Sequence, residues 1–396
     1  MDAVAEDFDA TAPETFDSTI ELYADLRGRC PVAHSDSWGG FWALLKFDDV
    51  LRAAADWKTY TTTVQNVVPK VAFTGRRAPL HLDPPEHTLY RQALNPLLGE
   101  EQAAAMEPAT RRFAEELIAP MLAKGGGDIC DEFAAKVPIA LFAEWMRLPK
   151  AMVDVLRTTA QAFTFAVQSA QDDVMKTTSL ELYTLARDLI ELRKREPEDP
   201  TVDPTSALLA ARDDQGQPLP DEMILGCVRQ VLVVGIVAPQ VVIGSFCVHL
   251  SRHPELQAEL RAHPEKIPDA MEELLRLYTP YRGFARTPTK DVTIRGRTIR
   301  KDEAIAIVYA SANRDEDKFP NGGEFEWNRP NIKDHLAFGA GPHRCAGMNL
   351  ARMELLVMLE VLLARTTGFE VSGPIKPTRC PEIGALSVPL RFTKAS

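Results

Sequence analysis

The sequence predicts a mainly α protein with small antiparallel β-sheets. Three observations support this. Long stretches carry apolar residues at the helical period, β-branched runs are few and short, and the breaks between them hold Gly, Pro and charge. At 396 residues, with 45% apolar and 26% charged residues, the chain is long enough to bury a large core. Residues 1–396 read as one domain, because the helices beside the exposed loops are too apolar to stand alone.

Phe41 to Phe47 is the first strand signal. Glu100 to Lys124 is rich in Ala, Glu and Leu and stops at Gly125-Gly126-Gly127. Ala151 to Arg195 is helical in composition and ends in the charged loop Glu196-Pro197-Glu198-Asp199-Pro200. Asp213 to Pro218 is a second exposed turn. Val231 to Leu250 is the most apolar stretch. It holds Pro239, Gln240 and His249 and follows Arg229 and Gln230, so it reads as a buried core helix rather than a membrane span. Asp291 to Ile299 reads as a hairpin that Ala304 to Tyr309 continues. Met348 to Arg365 is a helix apolar on most faces, and Leu386 to Phe392 is a terminal strand.

Charge and cysteine usage narrow the function. A formal net charge of −11 argues against a chain-wide nucleic-acid footprint and against a polybasic membrane anchor. The N-terminal segment is acidic and lacks the basic start of a secretory signal. Six scattered cysteines with no CxxC pair suit a reducing compartment, so a cytoplasmic location is expected.

The sharpest feature is Phe338-Gly339-Ala340-Gly341-Pro342-His343-Arg344-Cys345-Ala346-Gly347. A Gly-rich loop delivers one cysteine to the start of a helix, where unpaired N–H groups and the helix dipole favour thiolate. The glycines let backbone approach a flat ligand closely. A dinucleotide loop is disfavoured because Arg344 takes the third Gly slot. A zinc site is disfavoured because His335, His343 and Cys345 match no usual spacing.

This run resembles the haem-binding loop of the cytochrome P-450 superfamily, whose iron takes a Cys thiolate. The resemblance continues through Asp83 to Arg91, Glu273-Leu274-Leu275-Arg276 (ExxR), and Ala312-Asn313-Arg314-Asp315 with Phe325 and Arg329. The soluble bacterial type is the most similar kind. It implies haem b, with Cys345 on the iron and Phe338, His343 and Gly347 around it. It also implies His87, Arg91, Arg286 and His335 on the propionates, which need donors once buried. Glu273, Arg276 and Arg329 are implied to form a structural triad that holds the Cys loop.

The central helix departs from the family pattern of Ala/Gly-Gly-x-Asp/Glu-Thr. Here it reads Val234-Gly235-Ile236-Val237-Ala238-Pro239-Gln240, so Val237 replaces the acid and Ala238 the hydroxyl. Those groups normally deliver protons before the O–O bond breaks. Three readings stay open. In the first, another network replaces them: Pro239 deprives the Gly235 carbonyl of its helical donor, that carbonyl binds water, and Gln240 extends the chain. In the second the enzyme is a peroxygenase, since hydrogen peroxide brings its own protons. In the third the protein only binds haem and ligand.

The resemblance implies a pocket lined by Val67, Val68, Phe73, Val234, Val237, Ala238, Phe284 and Ala385, all apolar. Phe163 and Phe165 face either this pocket or the interior. Arg76, Arg77 and Arg282 read as surface residues, any of which would suit a carboxylate. The function implied is a haem-thiolate monooxygenase that hydroxylates or dealkylates a small hydrophobic or aromatic compound with O2. The chain has no flavin or plant-type iron–sulfur signature, so electrons are expected from a separate ferredoxin and reductase, or from a fused reductase. Arg111, Arg112, Lys333, Arg344 and Arg352 are candidates for a basic docking face. No nucleic acid or membrane partner is expected.

Overall fold

Helix starts and stops follow the local chemistry. In the computed structural model, which describes residues 5–12, 14–70 and 75–393, the elements are, in order, α1 (Phe16–Arg29), β1 (Val32–Ser35), β2 (Phe41–Leu44), α2 (Phe47–Ala55) and β3 (Tyr60–Thr61). There follow α3 (Glu86–Leu94), α4 (Glu100–Lys124), β4 (Gly126–Asp128), α5 (Lys136–Trp145), α6 (Lys150–Gln168), α7 (Asp172–Arg195) and α8 (Pro204–Ala210). Then come α9 (Asp221–Val234), α10 (Val237–Arg252), α11 (Pro254–Ala262), α12 (Ile267–Leu277), β5 (Phe284–Pro288), β6 (Val292–Ile294), β7 (Arg297–Ile299) and β8 (Ile305–Ile307). The last are α13 (Tyr309–Ala312), α14 (Met348–Arg365), β9 (Phe369–Val371), β10 (Lys376–Pro377), β11 (Ala385–Ser387) and β12 (Pro389–Phe392).

The described residues gather into two units, each built from separated segments. The first comprises the described parts of Met1–Val71, Gly244–Cys345 and Val371–Val388. The second comprises those of Ala72–Ile243, Ala346–Glu370 and Pro389–Ser396. No single cut of the chain separates them.

In the first unit a five-stranded sheet runs β1-β2-β8-β5-β3. All its pairings are antiparallel except β2 with β8, which is parallel. Its core includes Trp42, Leu44, Phe47, Ile305, Ile307 and Phe319. In the second unit α4 ends at Gly125, whose φ of 81° caps the helix in the left-handed region. Ion pairs Arg111–Glu360 (2.6 Å) and Arg365–Glu115 (2.8 Å) join α4 to α14. The second core includes Phe142, Trp145, Leu182, Leu189 and Leu232. Each fully buried side chain of this size contributes about 1.5–3 kcal/mol by leaving water.

Three sequence expectations need correction. Ala304 to Tyr309 does not continue the hairpin: β6 and β7 pair only with each other, while β8 lies between β2 and β5. The three residues Ile305–Ile307 are fully buried, so they suit a central strand rather than a hairpin edge. Ala151 to Arg195 is two helices, because the chain turns at Ala170 with φ 53°. The terminal strand is likewise two: β11 pairs with β10 and β12 with β4. The stretch Asp221–Arg252 is long and apolar enough to cross a membrane by length and composition, and 72% of its most apolar window is buried inside the protein.

Candidate active site

The cysteine loop is set by backbone geometry in the first unit. Leu336 N–H donates to Asn313 Oδ1 (2.6 Å), Gly339 N–H to Leu336 O (2.9 Å) and Cys345 N–H to Phe338 O (2.8 Å). Gly341 has φ 68°, and a Cβ there would lie 2.6 Å from the Ala54 carbonyl oxygen, so only glycine lets the loop rest on α2. The result is that Cys345 is the one exposed cysteine of the six. Burial pushes the Cys227 and Cys380 thiols up to about 12, and Cys247 is pushed up as well.

Glu273, Arg276 and Arg329 meet and connect to the start of this loop through Asn313. Arg276 Nε and Nη2 donate to the two oxygens of Glu273 (2.8 and 2.7 Å), and Arg329 Nε donates to Glu273 Oε1 (3.0 Å). Arg276 Nη1 also donates to the Asn313 and Gly322 carbonyls (2.7 Å each) and Nη2 to the Glu324 carbonyl (3.0 Å). All five guanidinium donors are used. The Asn313 side chain carries the constraint onward, because its Oδ1 accepts from Leu336 N–H at the start of the loop.

The other first-unit donors are placed as follows. Arg286 on β5 is buried, with Nη1 donating to Ala285 O (2.8 Å). His335 is buried, its Nε2 is 2.7 Å from Glu272 Oε1, and its Nδ1 accepts from Ala337 N–H (3.1 Å). Both ring nitrogens are engaged, so His335 enters a propionate donor set only by giving up Glu272. His343 Nε2 lies 3.3 Å from Thr62 Oγ1. Phe338 packs with its ring centroid 6.4 Å from that of His335. Gly347, in the second unit, is the N-cap of α14, and a Cβ there would meet nothing.

In the second unit, His87 is buried and Arg91 half-buried, one turn apart on α3. Arg91 Nε donates to Asn95 Oδ1 (2.9 Å). The central helix is interrupted. α9 ends at Val234, Ile236 N–H reaches back to Val233 O (3.3 Å), and α10 starts at Val237. Pro239 therefore falls in a first turn, where a missing N–H costs least. It marks a helix start rather than a kink in mid-helix. A Cβ on Gly235 would sit 2.2 Å from Phe142 ring carbons, which keeps the junction close to α5. Val234 is 52% exposed, Val237 and Ala238 are half-buried, and Pro239 and Gln240 are buried.

Among the expected pocket residues, Val67 bridges to Phe284, and both are partly exposed. Val68 and Ala385 are buried. Val68 N–H donates to Gly283 O (2.8 Å) and Ala385 N–H to Ser245 Oγ (3.2 Å). Phe73 lies outside the described residues. Phe163 is half-buried and Phe165 is 56% exposed.

Two arginines depart from the surface reading. Arg282 is buried, with Nε on the Glu382 carbonyl (2.8 Å), and Arg77 is half-buried with its Nε fully shielded. Arg229, which in the sequence only precedes the apolar stretch Val231 to Leu250, is 1% exposed. Its only signal in the sequence is a polar pair, Arg229-Gln230, just before an apolar stretch, and sequence does not say what surrounds such a pair. The expected basic face is also weakened: Arg111 pairs with Glu107 and Glu360, and Arg112 with Glu144. Lys333 and Arg344 are exposed, and Arg352 is half-buried.

The donor chemistry fits an iron porphyrin. One thiol is presented outward on a glycine-shaped loop. Among the described residues no group of three or more His, Cys, Asp or Glu side chains is placed to hold a bare metal ion. Cysteine sulfur is thus offered as a single ligand, and buried cationic or donor side chains stand ready for carboxylates.

Comparisons with known proteins point the same way. The family model described as Cytochrome P450 matches residues 150–389. The mycinamicin IV hydroxylase/epoxidase of Micromonospora griseorubida is 33% identical over 361 residues, covering 89% of this chain and 88% of the relative. The linalool 8-monooxygenase of Pseudomonas putida is 29% identical over 370 residues, 89% of each chain. The solved structure of cytochrome P450 CYP109Q5 from Chondromyces apiculatus superposes with a TM-score of 0.87 at 30% identity, covering 98% of this chain and 99% of that one.

Proposed function

The chain belongs to the cytochrome P450 family, and from that membership we propose a haem-thiolate monooxygenase that hydroxylates or dealkylates an apolar substrate with O2 and electrons from a separate ferredoxin and reductase. The family binds haem b and its named relatives are monooxygenases, so the chain is an oxidoreductase with that cofactor. Cytoplasmic location follows the same reading.

The observation that carries the proposal is Cys345, the exposed thiol held by Cys345 N–H to Phe338 O and by the fully bonded Arg276 behind the loop. When bound, haem supplies the iron at which O2 is reduced and one oxygen atom is delivered to substrate. The protein's part is to hold the sulfur in place and keep it a thiolate. By likeness to the family, the residues that would hold the propionates are Arg286 in the first unit and His87 and Arg91 in the second. Val234, Val237 and Ala238 contribute no protons. Proton delivery therefore falls to water held by backbone carbonyls at the Gly235–Ile236 junction, with the buried Gln240 amide extending the chain.

A second reading, a peroxygenase, is favoured by that same lack of an acid and a hydroxyl at Val237 and Ala238. The test has two parts. The reduced protein under carbon monoxide is expected to show the red-displaced Soret band of thiolate ligation, and Cys345→Ala to lose it; a band that survives Cys345→Ala overturns the site. Turnover with ferredoxin and reductase against turnover with hydrogen peroxide alone separates the two readings.

A further inference from the structure

In the second unit, two cations have no counter-charge among the described residues. Arg229 on α9 is buried, and of its guanidinium only Nη2 has a hydrogen bond, to Ser179 Oγ (2.9 Å). Its Nε and Nη1 are shielded from solvent and have no hydrogen-bond partner among the described residues. Arg77 sits beside it: Nη1 reaches Gln230 Oε1 (3.4 Å), Nη2 lies 3.4 Å from His81 Nε2, and Nε has no partner. Among the described residues neither arginine has a carboxylate in ion-pair distance. Burial first, and then the charge of Arg77, pushes Arg229 down to about 10, and burial lowers Arg77 as well. His81 is pushed down to about 4 by burial, then by Arg77, Arg76 and Arg229, so it is neutral at pH 7 and adds no further positive charge.

The fold invests in this arrangement. A Cβ on Gly226 would lie 1.9 Å from the Arg76 carbonyl oxygen, so a bare helix position lets the segment carrying Arg77 seat against α9. Aromatic rings flank the charge: Phe163 lies 5.0 Å and Tyr183 5.7 Å from the Arg229 guanidinium carbon. Arg276 in the other unit shows what a structural buried arginine looks like here, with every donor satisfied. Arg229 is the opposite case. Buried polar groups left open in a native fold point to an occupant.

We propose that Arg229 and Arg77 form a carboxylate-binding subsite, so that the substrate is an apolar molecule with a carboxylate head. The proposal rests on the monooxygenase reading. Val233 and Val234 lie one helical turn beyond Arg229 and Gln230 on the same faces, and the 52% exposed Val234 offers apolar surface for the body of such a molecule. A carboxylate there accepts from the open Nε–H and Nη1–H donors of Arg229 and from Arg77 Nε–H.

The test uses the haem-loaded full chain and two matched series, n-alkanoates and n-alkanols of ten to sixteen carbons (roughly the length a pocket of ordinary volume holds), with dissociation constants from calorimetry. At least one alkanoate is expected to bind tenfold or more tightly than its alkanol, and Arg229→Met with Arg77→Gln is expected to abolish that preference while leaving alkanol binding within twofold. Arg229→Met is also expected not to lower the melting temperature of ligand-free protein. Equal binding of both series by the unaltered protein, or a preference that survives the double change, overturns the subsite. So does a large fall in melting temperature on Arg229→Met. The carbon monoxide spectrum keeps the two levels apart: a normal thiolate band without carboxylate preference overturns this inference alone, and loss of the band in the unaltered protein overturns the monooxygenase reading.

Discussion

Replacing Arg276 by lysine keeps the charge but removes the fork. Arginine makes five hydrogen bonds here, two to Glu273 and three to the carbonyls of Asn313, Gly322 and Glu324, at 2.7–3.0 Å. Lysine has three donors on one nitrogen, so at least two of these acceptors lose their partner. The residue is 0% exposed, so no water takes over. A buried acceptor left unsatisfied costs about 1–3 kcal/mol, which gives about 2–6 kcal/mol in all. That is a large share of the roughly 5–15 kcal/mol that holds a typical domain together. The assay is urea unfolding of purified protein, with midpoint and slope fitted together so that a change in the unfolded state is seen as such. Arg229→Lys is the internal control: with one protein hydrogen bond at stake, about 1 kcal/mol is expected. Arg276→Lys that shifts stability by less than about 1 kcal/mol would refute the idea that the five-bonded guanidinium braces the thiol loop.

Other outcomes follow from the same geometry. Ala238→Thr restores a hydroxyl at a half-buried position and is expected to raise product formed per electron pair consumed with the reductase, without improving peroxide-driven turnover; no change in either assay places position 238 away from the chemistry. His81 and His249 are both pushed down to about 4, burial being the first cause, from an ordinary value near 6.5. The unfolded chain therefore takes up protons first as pH falls. The stability tied to these two residues is complete above about pH 6.5, is lost progressively towards pH 4, and changes no further below that. The double variant His81→Gln, His249→Gln should flatten the fall in urea midpoint between pH 6.5 and 5, and an unchanged slope there would count against the assignment. Gly226→Ala, normally favourable in a helix by about 1 kcal/mol, should instead lower the urea midpoint and weaken alkanoate binding, because its methyl meets the Arg76 carbonyl. A more stable variant with intact binding contradicts the close packing.

Much of the architecture was legible because its signals are local. Glu100–Lys124 with its glycine stop and Met348–Arg365 both stand at their expected bounds. The loop before Cys345 was legible because positive-φ glycines and a lone cysteine are visible letter by letter. What stayed hidden depends on partners far along the chain. Ile305–Ile307 looks like an extension of the neighbouring hairpin, yet its hydrogen bonds go to β2 and β5. The pattern around Pro239 marks a disturbed helix but not where it restarts, because packing of Gly235 on Phe142 decides that. His335 reads as an open donor until Glu272, 63 residues earlier, is seen bonded to it. Arg229 needed the most context, since the same letter on an apolar helix stands equally for a surface charge or a buried one.

The contrast among the six sulfurs has a practical consequence. Cys130, Cys227 and Cys247 are buried, Cys380 is half-covered with its sulfur 3.0 Å from the Val68 carbonyl oxygen, and Cys30 is half-covered with Arg297 against its sulfur (3.2 Å). A maleimide added to the folded, haem-free protein therefore meets one exposed thiol, Cys345, and slower ones at the half-covered Cys30 and Cys380. Iron coordination blocks the first and leaves the others untouched. The mass of the alkylated chain thus counts empty and filled molecules directly, with no need for light absorption or a known substrate.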